Sequence, residues 1–191
     1  MTQLIVLQNE VSTCTKCDLS KTRTQTVFSR GNSLAKLMII GEAPGQDEDL
    51  QGKPFVGKSG QLLDKALSDL GLDVEKDIYV CNIIKCRPPA NRTPTEDESN
   101  SCFGYLESQI NIIKPVVLVA LGATAMNNLI NTNLGITKNR GSFFKTCYGL
   151  VMPIYHPSYI LRGGGQNSAL YQTFKADLKL AFDKSQEPVL D

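Results

Sequence analysis

A long connection rich in glycine and acidic residues, Gly41–Gly57, constrains this chain more than any other feature of its sequence. The apolar run Leu37–Ile40 before it predicts a buried parallel strand. Apolar residues at helical spacing from Ser59 onward predict a helix after it. Open α/β sheets bind ligands at such strand-to-helix connections, so the segment predicts a binding site. The alternative is an ordinary acidic surface loop made of common turn residues.

Strand candidates alternate with helix candidates along the chain, without repeats or an internal linker. Thr95, with Glu98 three residues later, forms a capping-box pattern that starts a helix reaching about Ile113. The other strand candidates are Ile78–Ile84, Pro115–Leu121 and Leu150–Ile154, and a closing helix runs from about Ser168 to Lys184. This order predicts one α/β domain over residues 1–191, with a mainly parallel four-stranded sheet and helices on both of its faces.

Composition excludes several classes of protein. The chain has 191 residues, of which 41% are hydrophobic and 20% charged, as is typical of a soluble globular domain. A net charge of +1 gives no reason to expect a nucleic-acid or membrane partner, so any nucleic-acid contact must use a local basic patch. The first residues do not resemble a signal peptide, and no apolar run approaches the roughly 18 residues of a membrane helix. We therefore expect a cytoplasmic protein.

Six cysteines in a reducing compartment favour metal binding or free thiols over disulfides. A metal centre would take the Cys-x-x-Cys pair and two later cysteines: Cys14, Cys17, Cys86 and Cys102. Four thiolates suit zinc or an iron–sulfur cluster, and their spacing alone does not separate the two. Free thiols that fill core space are the alternative. We expect that simpler role for Cys81 and Cys147.

Four motifs, read in order, resemble those of the family 4 uracil-DNA glycosylases, which carry a [4Fe-4S] cluster. The motifs are Gly41–Gly45, Gly52–Gly57, Asn82–Pro89 and His156–Arg162. Any one of them is a weak signal, but four in register with four cysteines are specific. The resemblance implies a three-layer α/β/α fold, excision of uracil from DNA, and a [4Fe-4S] cluster held by Cys14, Cys17, Cys86 and Cys102.

The resemblance also assigns residues to the uracil pocket: Glu42, Ala43, Phe55, Asn82 and His156. We add Gly41 and Glu48 to the predicted uracil-binding residues. Phe55 would stack on the flipped base. The Asn82 carbonyl would accept uracil N3–H while its amide donates to O4, a pattern that cytosine reverses. His156 would donate to O2 as negative charge develops, and Glu42 would position the attacking water; these two are the predicted catalytic residues. Glu48 would help to exclude the methyl group of thymine.

DNA contacts are predicted on the same rim of the sheet. The predicted contacts are Lys85, Arg87, Arg140, Tyr159, Ile160, Leu161 and Arg162, with Arg92 and Lys138 nearby. The basic side chains would neutralise phosphates, which makes binding sensitive to salt. The apolar side chains that follow His156 would wedge into the stack left by the flipped nucleotide. The expected partner is uracil-containing DNA, single- or double-stranded, bound by a monomer.

Two other functions stay open on the sequence alone. The first is a non-catalytic nucleic-acid-binding module in which the cluster only stabilises the fold. The second is a zinc-bound α/β domain that acts on a different base or nucleotide. Strand cleavage at uracil after alkali treatment separates an enzyme from a binding module.

Overall fold

The computed structural model describes residues 2–130 and 135–188. The strands are β1 (Arg30–Gly31), β2 (Leu37–Gly41), β3 (Ile78–Asn82), β4 (Val117–Leu121), β5 (Phe144–Thr146) and β6 (Gly149–Ile154). The helices are α1 (Thr2–Ser12), α2 (Gln46–Gln51), α3 (Lys58–Asp69), α4 (Val74–Asp77), α5 (Glu96–Ile113), α6 (Gly122–Ile130), α7 (Ile136–Asn139), α8 (Pro157–Arg162) and α9 (Ala169–Gln186). None of these helices is long and apolar enough to cross a membrane. The ends of the predicted domain, residue 1 and residues 189–191, lie outside the described residues.

Within the described residues, the strands form one six-stranded sheet in the order β1-β3-β2-β4-β6-β5. Its central strands β3, β2, β4 and β6 are parallel, as predicted. The predicted count of four strands is wrong, because β1 and β5 add short antiparallel strands at the two edges. These two strands have two and three residues, which is too short to leave a periodic signal in the sequence.

Alternate side chains of the parallel strands pack into two apolar layers, one on each face of the sheet. From β2, Met38 and Ile40 share a layer with α1, α5 and α6. Leu37 and Ile39 share the opposite layer with α3, α8 and α9. Every residue of β2, β3 and β4 is buried, which explains why these strands read as continuous apolar runs. The predicted three-layer α/β/α architecture is confirmed.

The parallel register brings the carboxyl ends of the central strands to one edge of the sheet. Gly41 at the end of β2 pairs with Asn82 at the end of β3. Leu121 at the end of β4 pairs with Ile154 at the end of β6. The segments that follow these strands therefore meet above the same edge, which is where open α/β sheets bind ligands.

The connection after β2 contains a helix that the sequence pattern does not indicate. Residues Gln46–Gln51 form α2, and Gly52 ends it in the left-handed region with φ of +70°. A run of glutamine and acidic residues around one leucine carries no apolar periodicity, so α2 is invisible to pattern analysis. Its stability comes instead from side-chain hydrogen bonds of its acidic residues to neighbouring backbone.

The outer side of β6 is covered in two ways. β5 pairs with Gly149–Val151. Beyond that pairing, the Gly141 N–H donates to the Pro153 carbonyl over 2.9 Å. The nitrogen and carbonyl of one strand residue face the same side, and the nitrogen of proline carries no hydrogen. Pro153 therefore presents an occupied acceptor and no donor to this edge.

Candidate active site

A pocket of about 460 Å³ opens at the carboxyl edge of the sheet. Six of the seven residues predicted to bind uracil line it: Glu42, Ala43, Glu48, Phe55, Asn82 and His156. They come from the ends of β2 and β3, the connection around α2, and the start of α8. The seventh, Gly41, is buried where it meets Asn82 and Phe55.

Asn82 ends β3 with only 2% of its surface exposed, and its Oδ1 has no hydrogen-bond partner among the described residues. A buried acceptor without a donor is costly, so this oxygen points to a missing partner. Gly41 allows the approach, because a Cβ there would lie 2.4 Å from both Asn82 Oδ1 and Phe55 Cζ. The absent side chain at Gly41 lets the carboxamide and the ring meet.

Phe55 forms an apolar wall of the pocket and holds a strained backbone. It is 6% exposed, with φ of +57°, a region that residues with a side chain rarely adopt. Such outliers concentrate at functional sites. Gly60 of α3 supports it, because a Cβ at Gly60 would lie 1.9 Å from the Phe55 carbonyl oxygen. The ring centroid of Phe55 is 6.2 Å from that of His156, so both rings border the same space.

Glu48 holds the connection together. Its carboxylate accepts from the backbone N–H groups of Gly45 (3.1 Å), Val56 (2.9 Å) and Gly57 (2.8 Å).

The segment Gly52–Ser59 fits the phosphate-loop pattern of glycines followed by Gly-Lys-Ser. However, it follows a helix rather than a strand, and the carboxylate of Glu48 already occupies amides that would otherwise face an anion. Exclusion of thymine by Glu48 stays a prediction.

His156 caps α8 and presents a neutral ring to the pocket. Its Nδ1 accepts from the Ser158 N–H over 3.1 Å, and Ser158 Oγ lies 2.8 Å from the same nitrogen. An amide N–H only donates, so the imidazole hydrogen belongs on Nε2. Burial, with a smaller effect from the Arg162 charge, lowers the pKa of His156 to about 4. The ring is therefore an uncharged donor at neutral pH.

A second cavity lies between α1, α5 and the end of β3, and all four predicted ligands line it: Cys14, Cys17, Cys86 and Cys102. Nitrogen donors face its sulfur atoms: Arg23 Nη1 donates to Cys86 Sγ over 3.2 Å, and the Lys16 N–H to Cys14 Sγ over 3.5 Å. Within residues 2–130 and 135–188, no three histidine, cysteine or acidic side chains converge on a point that would hold one metal ion. The four thiols line one cavity. Burial raises the pKa of the Cys86 thiol to about 11.

Comparison with known proteins decides the family. The profile of the uracil DNA glycosylase superfamily matches residues 28–179. Over 159 residues, the chain is 45% identical to a type-4 uracil-DNA glycosylase of Thermotoga maritima, covering 82% of each chain. A type-4 uracil-DNA glycosylase of Saccharolobus solfataricus is 42% identical, and the match covers 92% of this chain and 85% of the relative. A type-4 uracil-DNA glycosylase of Archaeoglobus fulgidus is 39% identical, and the match covers 94% of this chain and 92% of the relative. This chain belongs to the uracil-DNA glycosylase superfamily.

Two residues predicted to touch DNA are buried in this member of the superfamily. Lys85 is fully buried. Its Nζ donates to the backbone carbonyl of Asn82 and to Gln109 Oε1, each over 2.6 Å. Ile160 is also fully buried, in the apolar layer of α3 and α9. Residue type and position near a motif do not reveal which way a side chain packs, so a contact of these two residues with DNA stays a prediction.

The other predicted DNA contacts lie at or near the surface of the superfamily member, and their roles stay predictions. Tyr159 and Leu161 expose 43% and 39% of their surface, and Arg162 is exposed. Arg140 makes a two-pronged ion pair with Asp177, and Arg87 Nε donates to Asn91 Oδ1 over 2.7 Å. These two guanidinium groups are already engaged by the protein.

Sequence reasoning missed several residues that shape the site. Pro88, Asn91 and Thr124 also line the pocket, as does Arg92, which the sequence placed only near the DNA contacts. Gly60 supports Phe55, and its only signal is a glycine near the start of a helix. Asp49 is 3% exposed and hydrogen-bonded, although it reads as one more charge in an acidic run. Cys81 and Cys147 lie outside the thiol cavity, the first buried and the second exposed.

Proposed function

We propose that this chain removes uracil from DNA by hydrolysing the N-glycosidic bond, leaving an abasic site and free uracil for base-excision repair. Membership of the superfamily and the names of the type-4 relatives support the activity. The observation that carries the proposal is the unpartnered buried Oδ1 of Asn82, beside the ring of Phe55 and the neutral His156. An apolar wall, a base-edge reader and an uncharged donor are what a flipped uracil requires.

Recognition of uracil rests on Asn82. Its Oδ1 accepts the N3–H of uracil, and the amide nitrogen donates to O4. Cytosine presents an acceptor at N3 and a donor at C4, so it leaves buried groups unpaired at a cost of about 1–3 kcal/mol each. Lys85 donates to the backbone carbonyl of Asn82, which fixes the backbone that carries this side-chain amide.

Departure of the base rests on His156. Nε2–H donates to uracil O2 while the glycosidic bond breaks and negative charge accumulates on the ring. A neutral donor stabilises the anion without giving up its proton, and one such preorganised donor typically contributes about 3–4 kcal/mol. Ser158 keeps the tautomer by donating to Nδ1.

Water attack rests on Glu42 and nearby backbone. Glu42 lines the pocket at the end of β2 and is half-buried. The sugar that forms as the base leaves is cationic, so a nearby carboxylate both stabilises it and orients water without acting as a strong base. Tyr159 and Leu161 fill the gap in the base stack, and Arg162 contacts a phosphate.

The four cysteines would hold a [4Fe-4S] cluster. The donor set fits: four thiols line one cavity, and N–H groups donate to the sulfur atoms. When bound, the cluster would join α1, the segment after β3 and α5 through metal–sulfur bonds. We place the protein in the cytoplasm, where such thiols stay reduced, and expect it to act as a monomer.

An excision assay tests the function. Purified protein is incubated with a single-stranded oligonucleotide that contains one uracil, and abasic sites are then cleaved with alkali. We expect strand breaks at uracil and none in the matched thymine oligonucleotide. His156→Ala should lower the single-turnover rate by a factor of about 100 to 1,000 while DNA affinity changes little. Intact uracil DNA at a high excess of wild-type protein would reject the activity.

A further inference from the structure

The short helix α2 contacts two different parts of the molecule through neighbouring carboxylates. Asp49 is 3% exposed, and both of its oxygens accept from the Thr24 N–H, over 2.9 and 3.1 Å. Glu48, one residue earlier, accepts from Val56 and Gly57 on the other side. One helix therefore joins the segment around Thr24 to the segment that carries Phe55.

The segment Arg23–Gln25 lies between α2 and the thiol cavity. Arg23 Nη1 donates to Cys86 Sγ over 3.2 Å. Gln25 Nε2 donates to the Leu50 carbonyl of α2 over 2.8 Å. Three consecutive residues thus bind the cavity wall or α2, and Thr24 at their centre binds the buried Asp49.

Contacts on the far side of α2 end at the pocket. Glu48 Oε1 fixes the amides of Val56 and Gly57, the two residues after Phe55. Phe55 needs this support, because its backbone has φ of +57°. A shift of α2 would therefore move the wall on which the base stacks.

We propose that Asp49 is a positioning residue, which fixes α2 against the Arg23–Gln25 segment so that Glu48 can hold Phe55 in its strained, base-stacking conformation. The role in stacking rests on the proposed function. Through Arg23, the same contacts connect the packing of the thiol cavity to the geometry of the pocket.

Amide hydrogen exchange tests the proposal without any substrate. Asp49→Ala should raise the exchange rates of the Val56 and Gly57 amides about tenfold, the factor that one backbone hydrogen bond is typically worth. Asp49→Asn keeps one oxygen for Thr24 and should raise them by less. Gln51→Ala, an exposed change on the same helix, should match the wild type. Iron content and exchange in β4 should stay unchanged in all three.

Several results would overturn the proposal. One is wild-type exchange at Val56 and Gly57 in both Asp49 variants; another is an equal rise in Gln51→Ala. A rise that extends to β4 would mean general destabilisation instead of local positioning. If Asp49→Ala does not fold, Asp49→Asn carries the test, and no rise in that variant rejects the idea.

Kinetics then connect positioning to the reaction. Asp49→Ala should lower the single-turnover excision rate about tenfold, and Asp49→Asn should recover most of it. Wild-type protein that fails to excise uracil would reject the proposed function but leave the exchange result intact. Wild-type activity in Asp49→Ala with raised exchange would reject the link from α2 to base stacking.

Discussion

Gly41 lies where Phe55 and Asn82 approach the backbone, and any side chain there would occupy the space that both need. The two pocket residues come from different segments, one from the end of β3 and one from the connection after α2. They can approach each other at this point because Gly41 has no Cβ. The shape of the pocket at this point therefore depends on Gly41, a residue without a side chain.

Replacement of Gly41 by alanine should damage the reaction more than the fold. The new Cβ would lie 2.4 Å from both Phe55 Cζ and Asn82 Oδ1, so the two side chains must shift. A displacement of about 1 Å near reacting groups costs roughly 100-fold in rate, which single-turnover excision would measure. Gly104→Ala is the control, because a Cβ in that part of α5 meets nothing within 4 Å. An unchanged rate in Gly41→Ala would contradict the described packing.

His156 should stay neutral throughout the physiological range of pH. Its pKa of about 4 in the fold lies below the ordinary value of 6.5, so the unfolded chain binds the proton first as pH falls. The free energy of unfolding should therefore decrease between pH 6.5 and about 4, with the full contribution present above pH 6.5. NMR of the only imidazole in the chain checks this directly. A titration midpoint near 6.5 in folded protein would contradict the burial.

At the scale of elements, α5 lines the thiol cavity with Cys102 and is bonded near its start to Arg92, which lines the pocket. It begins with a capping box, in which Thr95 Oγ1 accepts from the Glu98 N–H and the Glu98 carboxylate accepts from the Thr95 N–H. The same carboxylate pairs with Arg92, which holds the pKa of Glu98 at about 2. The helix start is therefore tied to the segment that follows β3.

Loss of this cap should weaken the fold by a known amount. Thr95→Ala leaves the Glu98 N–H without its acceptor and should lower the free energy of unfolding by about 0.5–2 kcal/mol, measured by urea denaturation. Thr93→Ala is the matched control, since the structure engages only the carbonyl of that exposed threonine. Equal stability of the two variants would show that the cap is not needed.

Sequence patterns predict the features that depend on residues only a few positions apart in the chain. The Thr95–Glu98 cap and the buried strand β2 follow from residues a few positions apart, so pattern and structure agree. The burial of Lys85 and Ile160 was not predicted, because their packing depends on distant residues, such as Gln109 for the lysine. Asp49 was missed for the same reason, since its partner is 25 residues away. Local signals therefore locate the pocket better than they identify its supports.

At the scale of the whole molecule, the thiol cavity joins segments that are far apart in sequence. Cys14 and Cys17 follow α1, Cys86 follows β3, and Cys102 lies in α5. A cluster bound to all four would act as a cross-link over nearly half of the chain. Since a preformed site does not exist in an unfolded chain, its binding free energy would add to the stability of the fold.

Protein purified without air should be yellow-brown and contain four iron and four sulfide per chain. Cys86→Ser should lower the iron content and the free energy of unfolding, because a lost ligand releases the segment after β3. Cys147→Ser should match the wild type, since that thiol is exposed and does not line the cavity. One tightly bound zinc without sulfide in anaerobic material would reject the cluster.

Pro153 bears on self-association of the sheet. A second copy that adds a strand beside β6 needs outward-facing N–H donors and free carbonyl acceptors along that edge. Pro153 has no hydrogen to give, and Gly141 already occupies its carbonyl. β5, the strand alongside, is only three residues long. Aggregation by strand addition is therefore disfavoured along this side of β6.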